Sequence, residues 1–199
     1  MGGALSSARE EVLGRIRRAL GPAPAVPEVP REYRPAGAVA ADVERFAERV
    51  ADYRATVHRC DAAGLDATVR ELLAGARVAV GTRPPCGLAG LDTVTEPGVA
   101  VLDTVDAVLT GCALAVAETG TLVLAGERAL TLIPDRHVCV VHEDQIVAGV
   151  PDMVAALPRD APLTLVSGPS ATSDIELERV EGVHGPRRLD VVVVAGVSR

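Results

Sequence analysis

The sequence contains no lysine, since all 20 of its basic residues are arginines. Pyridoxal-phosphate enzymes, lysine-dependent aldolases and Walker-type nucleotide hydrolases each need a lysine, so the composition excludes them. Aromatic residues are also scarce, with no Trp, one Phe and two Tyr in 199 residues. A nucleic-acid surface that stacks bases on aromatic rings therefore has nothing to build on. The formal net charge of −7 also disfavours binding to a phosphate backbone.

The four cysteines lie 26 or 27 positions apart, at Cys60, Cys86, Cys112 and Cys139. Without a CxxC pair, the spacing signals neither a zinc ribbon nor a ferredoxin-type cluster, so we expect no metal or other cofactor in this chain. Cys112 and Cys139 lie in apolar runs and are expected to be small buried hydrophobic residues. Cys86 stands in a Pro-Cys-Gly turn and is the thiol that we expect to be accessible.

Long apolar runs are missing too. No stretch reaches the roughly 18 residues that a membrane helix needs, and the N-terminus does not resemble a signal peptide. The composition, 48% hydrophobic and 24% charged, is typical of a globular domain. We therefore expect a cytoplasmic protein with no membrane insertion and no nucleic-acid partner.

The N-terminal region predicts one amphipathic helix and a linker. Ser7 and Glu10 form a capping-box pattern at the helix start, and Gly21 is the expected end. Five prolines between positions 22 and 35 then indicate an extended linker. We divide the chain into residues 1–21, 22–37 and 38–199. The helix cannot bury its apolar face alone; we favour docking on the main domain over docking on a second copy or on another protein.

The main domain alternates helices with continuous aliphatic strands. Apolar residues from Val39 to Val57 recur at steps of three and four, which predicts one long helix. Further helices are expected at 65–75, at 149–157 and from about Ser173, and strands at 76–82, 99–104, 137–141, 163–168 and 189–196. Residues 112–126 indicate two strands, or a strand and its turn, joined at Glu118–Gly120. Because the strands are apolar on both faces, helices should cover both sides. The sequence predicts a three-layer α/β/α sandwich around a mostly parallel open sheet.

Small polar residues follow four of the predicted strands. In open α/β sheets, ligands bind outside the carboxyl ends of the strands, where backbone N–H groups can approach them. This rule selects four candidate ligand-binding loops: Gly81 and Thr82; Asp103 and Thr104; Glu118, Thr119, Gly120 and Thr121; and Ser167, Gly168, Pro169 and Ser170.

The last loop continues into a stretch rich in hydroxyl and acidic side chains. Ser173 and Glu176 form a capping-box pattern, and Asp174 lies where negative charge suits a helix N-terminus. Capping alone explains these three residues. Ser170 and Thr172 exceed what a cap needs and are candidate ligand contacts, as is Asp174 with less support.

Two residues are candidate catalytic groups, Glu118 and His184. Glu118 follows an apolar run and could be a nucleophile, a general base or an anchor for the glycine turn, anchoring being the more frequent use. His184 lies between turn glycines. A hydrolytic triad of Ser170, His184 and Asp174 is disfavoured because the G-x-S-x-G motif is missing. Metal binding by His137 and His142 is weaker still, since five residues along a strand place them on opposite faces.

Three motifs carry a family resemblance. AETGTLVL (117–124), LTLIP followed by DRHVCVV (130–141), and SGPSATSDIELERVEGVHGP (167–186) together resemble the lactate-utilisation protein C family, with its LUD domain. The resemblance spans roughly residues 40–195. It implies the α/β fold of sugar-phosphate isomerases and CoA transferases, in agreement with the architecture predicted from the strand pattern.

The resemblance also implies a function. The family belongs to a three-protein system that oxidises L-lactate to pyruvate, and its two partner proteins carry the iron–sulfur clusters. We therefore expect a non-redox component of that system, and whether this chain is itself an enzyme stays open. One alternative is an acyl- or CoA-transfer enzyme that uses Glu118 as nucleophile. The other is a module that binds a small organic acid or a phosphate-bearing ligand; a homo-oligomer is compatible with each.

Overall fold

A computed structural model describes residues 3–22, 27–126, 128–157, 162–169, 171–172, 180–181 and 185–196. The chain divides into two units, Met1–Tyr33 and Arg34–Arg199. The described residues contain six α-helices: α1 (Gly3–Leu20), α2 (Val43–Asp52), α3 (Leu65–Leu72), α4 (Val99–Leu102), α5 (Arg128–Leu132) and α6 (Val150–Ala156). None of these helices is long and apolar enough to cross a membrane.

Twelve strands lie in the described residues: β1 (Thr56–Asp61), β2 (Arg77–Val80), β3 (Asp92–Thr95), β4 (Ala107–Gly111), β5 (Leu114–Val116), β6 (Thr121–Ala125), β7 (Arg136–His142), β8 (Ile146–Val147), β9 (Leu163–Val166), β10 (Ala171–Thr172), β11 (Val180–Glu181) and β12 (Arg188–Ala195). Six of them form one sheet in the order β1-β12-β7-β4-β2-β3, and every neighbouring pair is parallel.

Helices cover both faces of this sheet. Alternate strand residues point to opposite sides, and on one side α3 packs on Val78, Val138 and Val192. On the other side, α2 packs on Cys139 and Val191, and α4 and α5 pack on the strands β2 and β4. The predicted three-layer α/β/α sandwich is therefore confirmed, with a core of aliphatic residues.

A second, four-stranded sheet packs on the α2 side, in the order β8-β5-β6-β9. Its centre is the antiparallel hairpin of β5 and β6, which pairs Val116 with Thr121. Two strands joined at Glu118–Gly120 were expected from the sequence, and the hairpin confirms them. They belong to this smaller sheet and not to the main one.

Two elements of the sequence interpretation are wrong. The helix expected from Val39 to Val57 spans only Val43–Asp52, because the side chain of Asp42 caps its start and Arg54, with a φ of 67°, breaks its end. Val57 lies in β1, an edge strand whose apolar residue continued the helical spacing by coincidence. The strand expected at 99–104 is the short helix α4, which begins after Gly98.

The first helix also starts earlier than its capping pattern indicates. It begins at Gly3, so Ser7 lies inside the helix and the predicted start at Ser7 is wrong. Its end is as expected: Gly21 has a φ of 75°, and its N–H donates to the Arg17 carbonyl at 3.1 Å. Glycine is favoured there because a left-handed residue carries no Cβ penalty.

A buried carboxylate joins three strands near the amino end of the main sheet. Asp190 is fully buried. One of its carboxylate oxygens accepts a hydrogen bond from Arg136 Nε at 2.8 Å, and the other lies 2.9 Å from His58 Nε2. Arg188 Nε lies 3.2 Å from the same carboxylate. The pKa of Asp190 is lowered: burial would raise it, but the bonds from His58 and Arg136 outweigh burial. This cluster lies at the sheet edge opposite the strand ends considered below.

Candidate functional site

A cavity of about 610 Å³ opens at the carboxyl ends of β2, β3 and β4. Gly81 and Thr82 follow β2, Glu96 follows β3, and Thr110 and Gly111 are the last residues of β4. The end of β6, Leu130 of α5, and Gln145 close the other side. This volume lies in the range of small-molecule pockets, and the position is the one at which open parallel sheets bind ligands.

Among the residues that the structure describes, two charged side chains line this cavity, Arg83 and Glu96. Arg83 follows Gly81 and Thr82 directly, and none of the described residues forms a hydrogen bond or ion pair with its side chain. Glu96 has a φ of 49°, which is uncommon for a residue other than glycine. It also precedes Pro97, and its N–H donates to the Val80 carbonyl at 2.9 Å. The surrounding strands therefore hold Glu96 in an unfavourable backbone conformation.

Polar side chains continue from the cavity into the core between β4 and β7. The Thr110 Oγ1 lies 2.7 Å from His137 Nε2, and His137 is only 1% exposed. Cys139, the register partner of Thr110, is fully buried, as expected. Cys112 is half-buried and lines the cavity, so the expectation that it is simply buried is wrong. Its hydrogen bond with Cys139 and its burial raise the pKa of the Cys112 thiol.

The other cysteines do not single out one accessible thiol. Cys86 is half-buried against the α3 side of the core, and Cys60 is half-buried against the same cluster. Burial raises the pKa of both thiols. Within the described parts of the chain, no group of three or more His, Cys, Asp or Glu side chains could hold a metal ion.

Glu118 lies outside the large cavity, in the turn between β5 and β6. Arg34 donates hydrogen bonds to both of its carboxylate oxygens, at 2.5 and 3.3 Å. The hydrogen bond from Arg34 holds the pKa of Glu118 below its ordinary value. Gly149 lies against this pair, since a Cβ there would be 2.6 Å from Glu118 Oε2. Both oxygens are thus engaged, which suits an anchor better than a nucleophile.

Asp152 reinforces this anchor. It accepts hydrogen bonds from the N–H groups of Gly37 (2.6 Å) and Gly149 (3.0 Å), and these bonds lower the pKa of its carboxyl group. A pocket of only about 140 Å³ lies beside Glu118 and Arg34. The segment around Arg34, interpreted as linker from the sequence, is therefore held on the domain by two acidic side chains.

The remaining motif residues of this region pack the second sheet together. A chain of hydroxyl groups joins Thr119 to Thr121 (2.7 Å) and Thr121 to Ser167 (2.8 Å). Gly120 has a φ of 63°, and a Cβ on it would lie 2.8 Å from the backbone of α2. Gly168 packs equally closely on Tyr53. These positions need glycine because the backbones approach closely.

The structure thus separates the loops that sequence reasoning had placed at one sheet edge. Gly81 and Thr82 line the large cavity, whereas Glu118 to Thr121 and Ser167 to Gly168 meet in the second sheet. Asp103 and Thr104 do not follow a strand, because the segment before them is α4, so that expectation is wrong. The residues that sequence reasoning missed are Arg34, Arg83, Glu96 and Gln145.

The third motif is described only in part. Thr172 lies in β10 and pairs with Val180 of β11. Its role as a ligand contact stays a prediction. The helix expected from Ser173, with Asp174 and Glu176, lies outside the described residues, and so do Ser170 and His184. The catalytic role of His184 therefore stays a prediction.

Comparison with known proteins identifies the family of the chain. Residues 99–194 match the model of the LUD domain. A lactate utilization protein C from Deinococcus radiodurans is 46% identical over 206 residues, covering 95% of this chain and 96% of that protein. A lactate utilization protein C from Exiguobacterium sp. is 28% identical, covering 94% and 95%.

A solved structure agrees with this assignment. The crystal structure of a DUF162 family protein from Deinococcus radiodurans is similar with a TM-score of 0.62 and 40% identity, over 77% of this chain and 96% of that chain. The motifs, the architecture and the full-length similarity agree, and the chain belongs to the lactate utilization protein C family, with a LUD domain.

Proposed function

We propose that this protein is the non-redox component of a cytoplasmic system that oxidises L-lactate to pyruvate. The observation that carries the proposal is the similarity to a lactate utilization protein C over 95% of the chain. In this reaction L-lactate loses two electrons and two protons. The electrons pass to two partner proteins that carry iron–sulfur clusters, and this chain supports their assembly or their handling of the substrate.

The cysteine pattern supports this division of labour. The four cysteines are 26 or 27 positions apart, which is unlike the clustered ligands of iron–sulfur proteins. They also lie in different surroundings, since Cys60 and Cys86 pack on the α3 side of the sheet whereas Cys139 packs on the α2 side. Cysteines on opposite sides of the sheet are consistent with iron–sulfur clusters that are carried by the partner proteins.

The alternative in which Glu118 is the nucleophile of an acyl or CoA transfer has less support. Arg34 occupies both carboxylate oxygens and lowers the pKa of Glu118. The pocket beside it, about 140 Å³, is small for an acyl donor such as a CoA thioester. The charged residues that line the larger cavity are Arg83 and Glu96 instead.

Deletion of the gene tests the proposal. The deletion strain should fail to grow on L-lactate, should grow normally on pyruvate, and should recover when the intact gene is supplied. The tagged chain, purified from cells that grow on L-lactate, should retain two proteins that contain iron and acid-labile sulfide. Normal growth of the deletion strain on L-lactate would contradict the proposal.

A further inference from the structure

We propose that the cavity at the carboxyl ends of β2, β3 and β4 binds a small 2-hydroxycarboxylate, with Arg83 pairing with the carboxylate and Glu96 accepting the hydrogen bond of the hydroxyl group. The choice of acid rests on the proposed lactate-utilisation function. The location and the polarity of the site rest on the geometry of the cavity alone.

Arg83 supplies the recognition of negative charge. It lines the cavity directly after Gly81 and Thr82, and no described side chain neutralises it. A guanidinium group presents parallel N–H donors that match the two oxygens of a carboxylate. The protein carries a net charge of −7, so an anion is attracted only where a local cation outweighs the rest of the molecule. Arg83 is the cation that the described lining of this cavity offers.

Glu96 supplies the recognition of the hydroxyl group. An ionised carboxylate accepts hydrogen bonds and cannot donate them, so it selects a ligand with an O–H donor. Glu96 is held in the cavity wall with a φ of 49°, although it precedes a proline. Strained residues of this kind concentrate at binding sites, where the surrounding structure maintains them. A 2-hydroxycarboxylate presents the two required groups on adjacent carbon atoms.

The rest of the lining suits the remainder of such a ligand. Leu130 provides apolar surface for a short alkyl group, and Thr82 provides a hydroxyl group. The amide of Gln145 is held by Cys112 and His142, so it shapes the wall of the cavity. Both acids are monoanions, so they differ in the group on the second carbon: the O–H of a 2-hydroxycarboxylate can donate to Glu96, whereas the keto oxygen of a 2-oxocarboxylate faces the carboxylate without a hydrogen bond. The site should therefore prefer the reduced acid, L-lactate, to its oxidation product, pyruvate.

Titration of the purified full-length protein, followed by ligand-observed NMR, tests this inference. The probes are L-lactate, pyruvate, lactamide and inorganic phosphate. We expect L-lactate to bind, and pyruvate to bind about 10-fold more weakly because it has no O–H group for Glu96. Uncharged lactamide should bind at least as weakly because it loses the charge-assisted pair with Arg83. Phosphate should also bind more weakly because it has no alkyl group to contact Leu130. Failure of L-lactate to bind the folded protein would overturn the inference, and so would phosphate binding as tight as that of L-lactate.

Variants assign the contacts. Arg83→Ala should weaken L-lactate binding by about 10-fold or more and Arg83→Lys by less, because lysine keeps the charge but not the paired donors. Glu96→Gln should remove the preference for L-lactate over pyruvate while keeping its backbone position. The matched control is Arg77→Ala, which removes an exposed arginine at the amino end of the same strand β2. Equal losses for Arg77→Ala and Arg83→Ala would contradict the assignment.

This test is separable from the test of the proposed function. If the deletion strain loses growth on L-lactate but the purified protein binds none of the probes, the site inference is wrong and the lactate-utilisation function stands. If the protein binds L-lactate through Arg83 but its deletion leaves growth on L-lactate unchanged, the function is wrong and the site stands.

Discussion

Arg34 and Glu118 are 84 residues apart in the sequence, and the guanidinium group of Arg34 donates to both oxygens of the Glu118 carboxylate. The pair joins the segment before α2 to the hairpin turn between β5 and β6. Glu118 belongs to a motif that suggested a catalytic role. Its pairing with Arg34 indicates a structural role instead, because it fastens the hairpin turn to the segment before α2.

Replacing Glu118 by Gln should therefore lower thermal stability slightly and leave lactate-dependent growth intact. The pair is partly exposed, with 46% of the Arg34 side chain and 32% of the Glu118 side chain accessible, so solvent screens much of its energy. Thermal unfolding of Glu118→Gln, Arg34→Ala and the double variant measures the coupling. The double variant should lose less than the sum of the two single losses. Strictly additive losses would show that the pair does not contribute.

Gly120→Ala should destabilise the protein more than Gly75→Ala. Both glycines have a left-handed backbone, with φ values of 63° and 76°, so a Cβ costs about 1–2 kcal/mol at either position. Only at Gly120 would the Cβ also lie 2.8 Å from the backbone of α2, which adds about 1–3 kcal/mol for overpacking. Urea unfolding of both variants gives the difference. Equal free energies of unfolding would show that the hairpin does not pack closely on α2.

Asp190→Asn should reduce the free energy of unfolding by about 3 kcal/mol at neutral pH, since it leaves Arg136 without its buried partner. The pKa of Asp190 is lower in the folded protein than in the unfolded chain, where it is about 3.9. The ionised carboxylate therefore contributes its full stabilising free energy above about pH 3.9, and this contribution is lost as the pH falls further.

The difference in unfolding free energy between wild type and Asp190→Asn should therefore narrow below about pH 4. Denaturant unfolding at several pH values measures it. A difference that grows as the pH falls would contradict the sign of this pKa shift.

Thr110→Val should cost about 1–3 kcal/mol, because it removes the 2.7 Å partner of a histidine that is 1% exposed. The control is Thr104→Val, whose hydroxyl bonds the Val101 carbonyl at 2.8 Å on the exposed surface, where water can replace it. Thermal unfolding compares the two variants. A loss as small as that of the control would show that the His137 ring is satisfied without Thr110.

Sequence reasoning predicted the central strands because their residues are apolar on both faces. Continuous aliphatic runs make up most of β2, β7 and β12. A short run of this kind between turn residues is typical of a strand that is buried on both faces. It failed at the sheet edges. β1 has no fully buried residue and only one aliphatic side chain, Val57, which fitted the helical period of α2. The run at 99–102 has strand propensity but forms a single helical turn. Local pattern cannot show which of two weak preferences the tertiary packing selects.

The candidate site was predicted only where it follows a recognised strand. Gly81 and Thr82 follow β2 and were found, and Arg83 is the next residue. Glu96 was missed because β3, a four-residue edge strand, was not recognised. The hairpin of β5 and β6 was recognised, but its placement in a second sheet depends on long-range pairing with β8 and β9. Glu118 could therefore not be separated from the cavity by sequence alone.

The most direct test of the account is growth of the deletion strain on L-lactate when it carries wild type, Arg83→Ala, Glu118→Gln or Arg77→Ala. Each variant should first be shown to be folded by circular dichroism. We predict that Glu118→Gln and Arg77→Ala restore growth, whereas Arg83→Ala does not. Restoration by Arg83→Ala together with failure of Glu118→Gln would contradict the account and place the function at the hairpin turn.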